Sequence, residues 1–201
     1  MAEALFALGD TNIRQAAGDL DKAFFIYTEA ITSFKKVIQL YSTNQLAVLA
    51  WGRIGDCYLQ LAAQDSAGFQ NSTNATNAYA QALLSRTADV AVRSLAEVGW
   101  GKVLEKMAER KSGPEQAALL TEALDHYLNV VNEKNLLPGE KLHPFYFREA
   151  AQAAARLAES NRQWDQAINL YERLIEVLPA TRPGLEKRIS SARQQKAGFK
   201  N

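Results

Sequence analysis

Cysteine, histidine and net charge are all scarce in this chain, and each shortage excludes something. With Cys57 as the one cysteine in 201 residues, no internal disulfide can form and the fold must rest on its core. A chain of this length can supply one, because the buried fraction of surface reaches roughly two thirds near 150 residues. The two histidines, His126 and His143, are too few for the usual metal sites, which draw several His, Cys or carboxylate ligands to one point. Glu122 and His126 have helical spacing but no second pair, so no metal and no cofactor is expected. Both histidines read as solvated or helix-capping groups. Basic residues number 23 and acidic residues 22, a net charge of +1 that offers a polyanion no long-range field. Nucleic acid would need a local basic patch, and the one basic stretch, Lys187 to Lys196, alternates with Ser190 and Gln194 like a solvated helix face. No window approaches the roughly 18 apolar residues of a membrane span, so no direct membrane insertion is expected. Met1-Ala2-Glu3-Ala4 has no signal-peptide character, although a chain whose leader had been removed would look the same.

What is present is helical periodicity. The five prolines, at 114, 138, 144, 179 and 183, fall where apolar periodic segments start or stop. Leu20, Ala23, Phe24, Tyr27, Ala30, Ile31, Phe34, Val37, Ile38 and Tyr41 repeat at three-and-four spacing, which predicts a helix over 19–41 with one broad apolar stripe. The same reading gives helices near 3–16, 45–63, 74–85, 88–109, 114–132, 145–161, 164–177 and 183–196. Alternating strand patterns do not occur, so the expected class is all-α. Gly18, Asp19 and Asp21 suit the end of one helix and the start of the next, and Ser112-Gly113-Pro114-Glu115 suits a stop followed by a proline-led start. Two longer loops are expected, from Gln64 to Thr73 and from Asn132 to Pro144.

The chain also repeats itself. Alanine, an aromatic four residues on and a small or aliphatic residue three further occur as Ala30/Phe34/Val37, Ala75/Tyr79/Ala82, Ala123/Tyr127/Val130 and Ala167/Tyr171/Leu174, at intervals of 44 to 48 residues. On the preceding helices stand Leu5/Leu8/Gly9, Trp51/Ile54/Gly55/Tyr58, Leu95/Val98/Gly99 and Ala151/Ala154/Ala155/Ala158. Small residues there let two helices approach while the next helix's aromatic fills the space beside them. These residues resemble the tetratricopeptide repeat. Trp51-Gly52-Arg53-Ile54-Gly55-Asp56-Cys57-Tyr58 matches its first half closely, and Trp164-Asp165-Gln166-Ala167 through Tyr171 and Leu174 to Pro179 matches its second. The period is longer than that family's usual length of about 34 residues. The resemblance implies a single domain over 1–201 that forms a right-handed α-α superhelix. Its four helical hairpins would span about 3–41, 45–85, 88–132 and 145–179, followed by a polar capping helix over 183–196. Tyr41-Ser42-Thr43, Ala47 and Ala50 to Gly55 resemble, more faintly, the repeats of bacterial cell-envelope proteins, which tilts the expected compartment towards the periplasm.

No arrangement of residues points to catalysis. Cys57 beside Tyr58 reads as an inert packed thiol. Gly99-Trp100-Gly101-Lys102 lacks the upstream glycine and the following Ser or Thr of a phosphate loop. Asn71-Ser72-Thr73 and Asn74-Ala75-Thr76 fit the glycosylation sequon but read as a polar loop and helix cap. The resemblance therefore implies a non-enzymatic scaffold or adaptor that holds a peptide or partner protein in a concave groove. Groove positions carried over from the family are Phe6, Asp10, Arg53, Asp56, Arg93, Glu97, Trp100, Gln152 and Arg156. The alternative is a self-assembling module of a cell-envelope complex, a homodimer made through one end of the stack or the Asn132 to Pro144 loop.

Overall fold

A computed structural model describes residues 1–19, 21–64 and 69–198. Among these residues the chain is all-α: α1 (Ala2–Gly18), α2 (Ala23–Leu40), α3 (Gln45–Gln64), α4 (Phe69–Leu84), α5 (Val90–Ala108), α6 (Gly113–Val131), α7 (Pro144–Ser160), α8 (Trp164–Val177) and α9 (Arg182–Gly198). A 3-10 turn, Pro179–Thr181, joins the last two. The helices follow the apolar stripes, and their ends follow local chemistry. Asp89 caps α5, its side chain accepting a hydrogen bond from the Val92 amide at 2.9 Å. Pro144 occupies the first turn of α7, where its missing amide hydrogen costs nothing. The turn from α7 to α8 is closed by Arg162 at φ +58° and by a bond from the Gln163 amide to the Ala158 carbonyl at 2.8 Å.

Two helix starts differ most from expectation. Helix α2 starts at Ala23, because Asp19 accepts from the Lys22 amide at 3.3 Å and forms a turn ahead of the helix. Helix α4 starts at Phe69, so residues 70–73 of the expected polar loop are helical; their Asn, Ser and Thr side chains disguised a helix start as a loop. The rest of that loop, 65–68, lies outside the described residues, as does Leu20 of the expected α2 stripe. The Asn132 to His143 loop is present, with positive φ at Glu133 and Gly139.

Each helix packs on the next, and α1, α3, α5 and α7 also touch one another in order. The odd-numbered helices thus share one face. Helix α5 lies at the centre because it is apolar or small around much of its circumference, burying Val92, Leu95, Ala96, Val98, Gly99, Gly101, Val103 and Leu104. One buried cluster centres on Phe6, Phe34 and Ile54, a second on Tyr79, Leu95 and Val103, and a third on Tyr127, Phe147 and Leu174. Leu185, Ile189 and Ala192 extend the third cluster onto α9.

Candidate binding face on the odd-numbered helices

Glycines set the packing register of this face. Gly9, Gly55 and Gly101 are spaced 46 residues apart. Each leaves room for the aromatic of the following helix: a Cβ would lie 2.5 Å from Phe34 at Gly9, 2.5 Å from Tyr79 at Gly55 and 2.6 Å from Tyr127 at Gly101. Ala155 is the small residue of the last hairpin, sixteen before Tyr171. The equivalent of Gly55 on α5 is therefore Gly101. Gly99, taken as that equivalent in the sequence, instead receives the other side of the Tyr79 ring, so that Tyr79 is held between glycines of α3 and α5.

In this register Asp10, Asp56, Lys102 and Arg156 follow the small residues and stand at corresponding positions. Around them runs a recurring contact that the sequence reading did not anticipate: a tyrosine of an even helix bonds to a carboxylate of an odd helix, and an arginine meets that carboxylate. The Tyr79 hydroxyl donates to Asp56 at 2.8 Å, and Arg53 lies 3.4 Å from the same carboxylate. Tyr127 donates to Glu105 at 2.6 Å, and Arg156 grips Glu105 through two bonds of 2.6 and 3.1 Å. Tyr171 bonds to Glu159, whose other partner is Arg188 of α9 at 3.6 Å. Phe34 has no hydroxyl, and Asp10 of that hairpin meets Arg53 Nε at 3.1 Å, in an ion-pair contact off the hydrogen-bond direction. A usable signal lay in the sequence: an acidic residue one or four positions after the small residue, wherever the next helix carries tyrosine.

The electrostatics follow from this burial. Desolvation, with Glu105 beside it, pushes the Tyr127 phenol far above its ordinary value, and Tyr79 behaves likewise through burial and Asp56. Tyr171 is pushed up to about 12 by burial and by Glu159. Asp56 is held above the ordinary carboxylate value of 3.8, since desolvation outweighs the hydrogen bond from Tyr79 and the charge of Arg53. Desolvation pulls Arg53 down, but Asp56 and Asp10 leave it above its ordinary value. These shifts favour fixed, neutral phenols at Tyr79, Tyr127 and Tyr171.

Lys102 lines three neighbouring clefts on the face. The first, about 360 Å³, runs from Ile13 and Tyr27 past Arg53, Asp56, Leu59, Gln60 and Val98 to Phe145, Tyr146 and Glu149. The second, about 410 Å³, lies between α5, α7 and α9 and is lined by Lys102, Glu149, Gln152, Arg156, Tyr171 and Arg188. A third, about 330 Å³, is bounded by Gln60, Ala63, Lys102, Glu105 and Arg156. Phe145 is half exposed at the mouth of the first, its ring edge-on to Tyr146 at 5.1 Å and covered by Arg148.

The structure divides the residues expected to line a groove. Arg53, Asp56, Gln152 and Arg156 line these clefts, and Asp10 joins them through Arg53. Phe6 is buried against Phe34, edge-on at 5.2 Å. The three taken from α5 face elsewhere, the consequence of reading Gly99 rather than Gly101 as the register mark. Arg93 is nearly buried and ties down the Asn132 to His143 loop, donating to the Asn135 carbonyl at 2.7 Å, to the Ala88 carbonyl and to Glu140. Glu97 is buried, with His126 Nδ1 at 2.6 Å and Asn129 at 3.4 Å, and Trp100 stacks on the His126 ring at 4.8 Å. His126 is thus a packed interhelical partner, not the solvated or capping residue expected, because Glu97 and Trp100 of α5 face it across the helix pair and Asn129, one turn on in α6, shares Glu97. Cys57 is fully buried, and desolvation with Asp56 raises its thiol well above the ordinary value, as an inert thiol requires. Among the described residues no three His, Cys, Asp or Glu side chains converge on a possible metal position, and no helix is long and apolar enough to cross a membrane.

No protein-family model and no curated protein matches the chain.

Proposed function

We propose that the chain is a non-enzymatic adaptor of the tetratricopeptide type, whose hairpins stack into a superhelix with the odd-numbered helices lining its concave side. The observation that carries this reading is the continuity of the clefts: openings contributed by α1, α3, α5, α7 and α9 meet at Lys102. A face of that length, apolar at Phe145, Tyr146 and Leu59 and polar elsewhere, suits an extended segment or helix of another protein. Rigidity supports it too, since Tyr79 and Tyr127 clamp neighbouring helices and the face is formed before any partner arrives.

The test is to pan a displayed random dodecapeptide library against the full chain and to measure the recovered peptides against Phe145→Asp and, as a control on the outer side of α2, Thr28→Asp. Both positions are exposed, so helicity should survive. Peptides that lose at least about tenfold affinity for Phe145→Asp and none for Thr28→Asp support the proposal. Peptides indifferent to both variants, or an empty selection, count against it.

Self-association is the second reading, and a specific observation favours it. Phe24 and Phe25 are adjacent on α2 and more than half exposed, as is Leu8 on α1. Sedimentation of the wild type and of Phe24→Ser/Phe25→Ser across a concentration range decides it: a dimer lost in the variant supports it, and a wild-type monomer throughout removes it.

A further inference from the structure

The cleft between α5, α7 and α9 carries a charge pattern that separates it from the rest of the face. Lys102, Arg156 and Arg188 line it against a single acidic residue, Glu149, which is paired with Lys102 at 3.1 Å. The carboxylates that fix the two arginines sit deeper. Arg156 is 59% exposed and its partner Glu105 only 15%, while Arg188 is 65% exposed and its partner Glu159 only 22%. An approaching ligand therefore meets guanidinium groups whose counter-charges lie behind them. These less exposed partners also hold the arginines, which lowers the ordering cost of a second interaction. Arg156 uses two of the five guanidinium N–H donors on Glu105, leaving others for a ligand. Gln152 stands exposed between them and makes no side-chain hydrogen bond to the described residues.

We propose that this cleft binds acidic side chains of an extended protein segment, with Lys102, Arg156 and Arg188 as cationic contacts and Gln152 as a neutral donor between them. The assignment rests on the reading of the odd-helix face as a segment-binding face and adds the chemistry of the segment. Charge complementarity selects carboxylates over basic or neutral segments, because lysines of a ligand would face three cations at close range. Helix α9, which closes the end of the stack through Leu185 and Ile189, thereby also supplies part of the site through Arg188.

The experiment is to sequence the peptide pool selected from the displayed library and to measure single peptides by fluorescence anisotropy against the full chain, Gln152→Glu and Arg188→Gln. Gln152→Glu is the decisive variant, since it places an anion in the cleft at an exposed position, one helical turn from Arg156, and removes no member of the existing ion pairs. The expected result is a pool richer in Asp and Glu than the input. Its peptides should bind at least about tenfold more weakly to Gln152→Glu, and more weakly still at high salt. Replacement of their glutamates by glutamine should reproduce the loss. A pool without acidic excess whose peptides still fail against Phe145→Asp would overturn this assignment and leave the adaptor reading standing. An acidic pool indifferent to Gln152→Glu would overturn it by placing the acid contacts elsewhere. Displacement of the peptides by a single-stranded DNA 12-mer at lower concentration than by free peptide would assign the cations to nucleic acid instead. Failure to recover any peptide sensitive to Phe145→Asp would remove the adaptor reading and this assignment together.

Discussion

Tyr79 shows how much rests on the absence of a side chain. Its ring lies between Gly55 and Gly99, and a methyl group on either would overlap it. Gly99→Ala should gain about 1 kcal/mol of helix propensity and still lose net stability, since overpacking a filled core costs about 1–3 kcal/mol. Gly184 in α9 meets nothing within 4 Å of its virtual Cβ, so Gly184→Ala should be neutral or stabilising. Urea unfolding of the two variants checks the pair, and equal effects would contradict the clamp. Asp56 offers a pH test. Its carboxyl is raised above 3.8 in the folded protein, chiefly by desolvation, so the folded state holds the proton over a window where the unfolded chain has lost it. The Asp56 contribution to stability therefore falls as pH rises from about 3.8 through that window and stays low above it. Asp56→Asn keeps an acceptor for Tyr79 and cannot ionise. The difference in unfolding free energy, variant minus wild type, should shift in favour of the variant as pH rises, then level off; a flat difference would contradict the desolvated site. Cys57 should react with a thiol reagent such as DTNB only after unfolding, given its burial and raised thiol value.

At the scale of elements, Arg93 decides the placement of a whole loop. Its guanidinium reaches Asn135, Ala88 and Glu140, and Glu140 in turn accepts from the Leu137 amide at 2.7 Å. This lashing sets where α7 begins and hence where Phe145 and Tyr146 enter the first cleft. Arg93→Ala should cost about 1.5–3 kcal/mol, the range for hydrogen bonds to charged groups. It should also raise amide hydrogen exchange across 132–143 more than elsewhere. Uniform exchange would place the role of Arg93 outside the loop. The sequence marked this loop through Pro138-Gly139, yet nothing local said that Arg93, some 40 residues earlier, would hold it. The same limit applied to α5. A helix with two glycines two residues apart admits two registers, and only packing shows that Gly101 serves its own hairpin while Gly99 serves the preceding one. Reading the wrong glycine moved the expected lining from Lys102 to Trp100, although α5 itself was plain from its apolar run.

For the molecule as a whole, stripe periodicity and proline placement made the all-α class and the order of helices legible. These are properties of single helices and need no knowledge of neighbours. Asp10, Arg53, Asp56, Gln152 and Arg156 lie on or beside the clefts of the odd-numbered helices, next to the small residues Gly9, Gly55 and Ala155 that the repeat pattern picks out. The tyrosine–carboxylate–arginine contacts were not seen, since each joins side chains of two or three helices whose mutual register only packing sets. The central claim is that the shared face of the odd-numbered helices is where a protein segment binds. Site-specific photo-crosslinking tests it most directly. A benzophenone side chain is placed at Gln60 or Gln152 in the clefts, or at Thr28 or Thr121 on exposed positions of even helices, and exposed to a selected peptide. The account predicts crosslinked peptide from Gln60 and Gln152 and none from Thr28 or Thr121; crosslinks from the even-helix positions alone would contradict it.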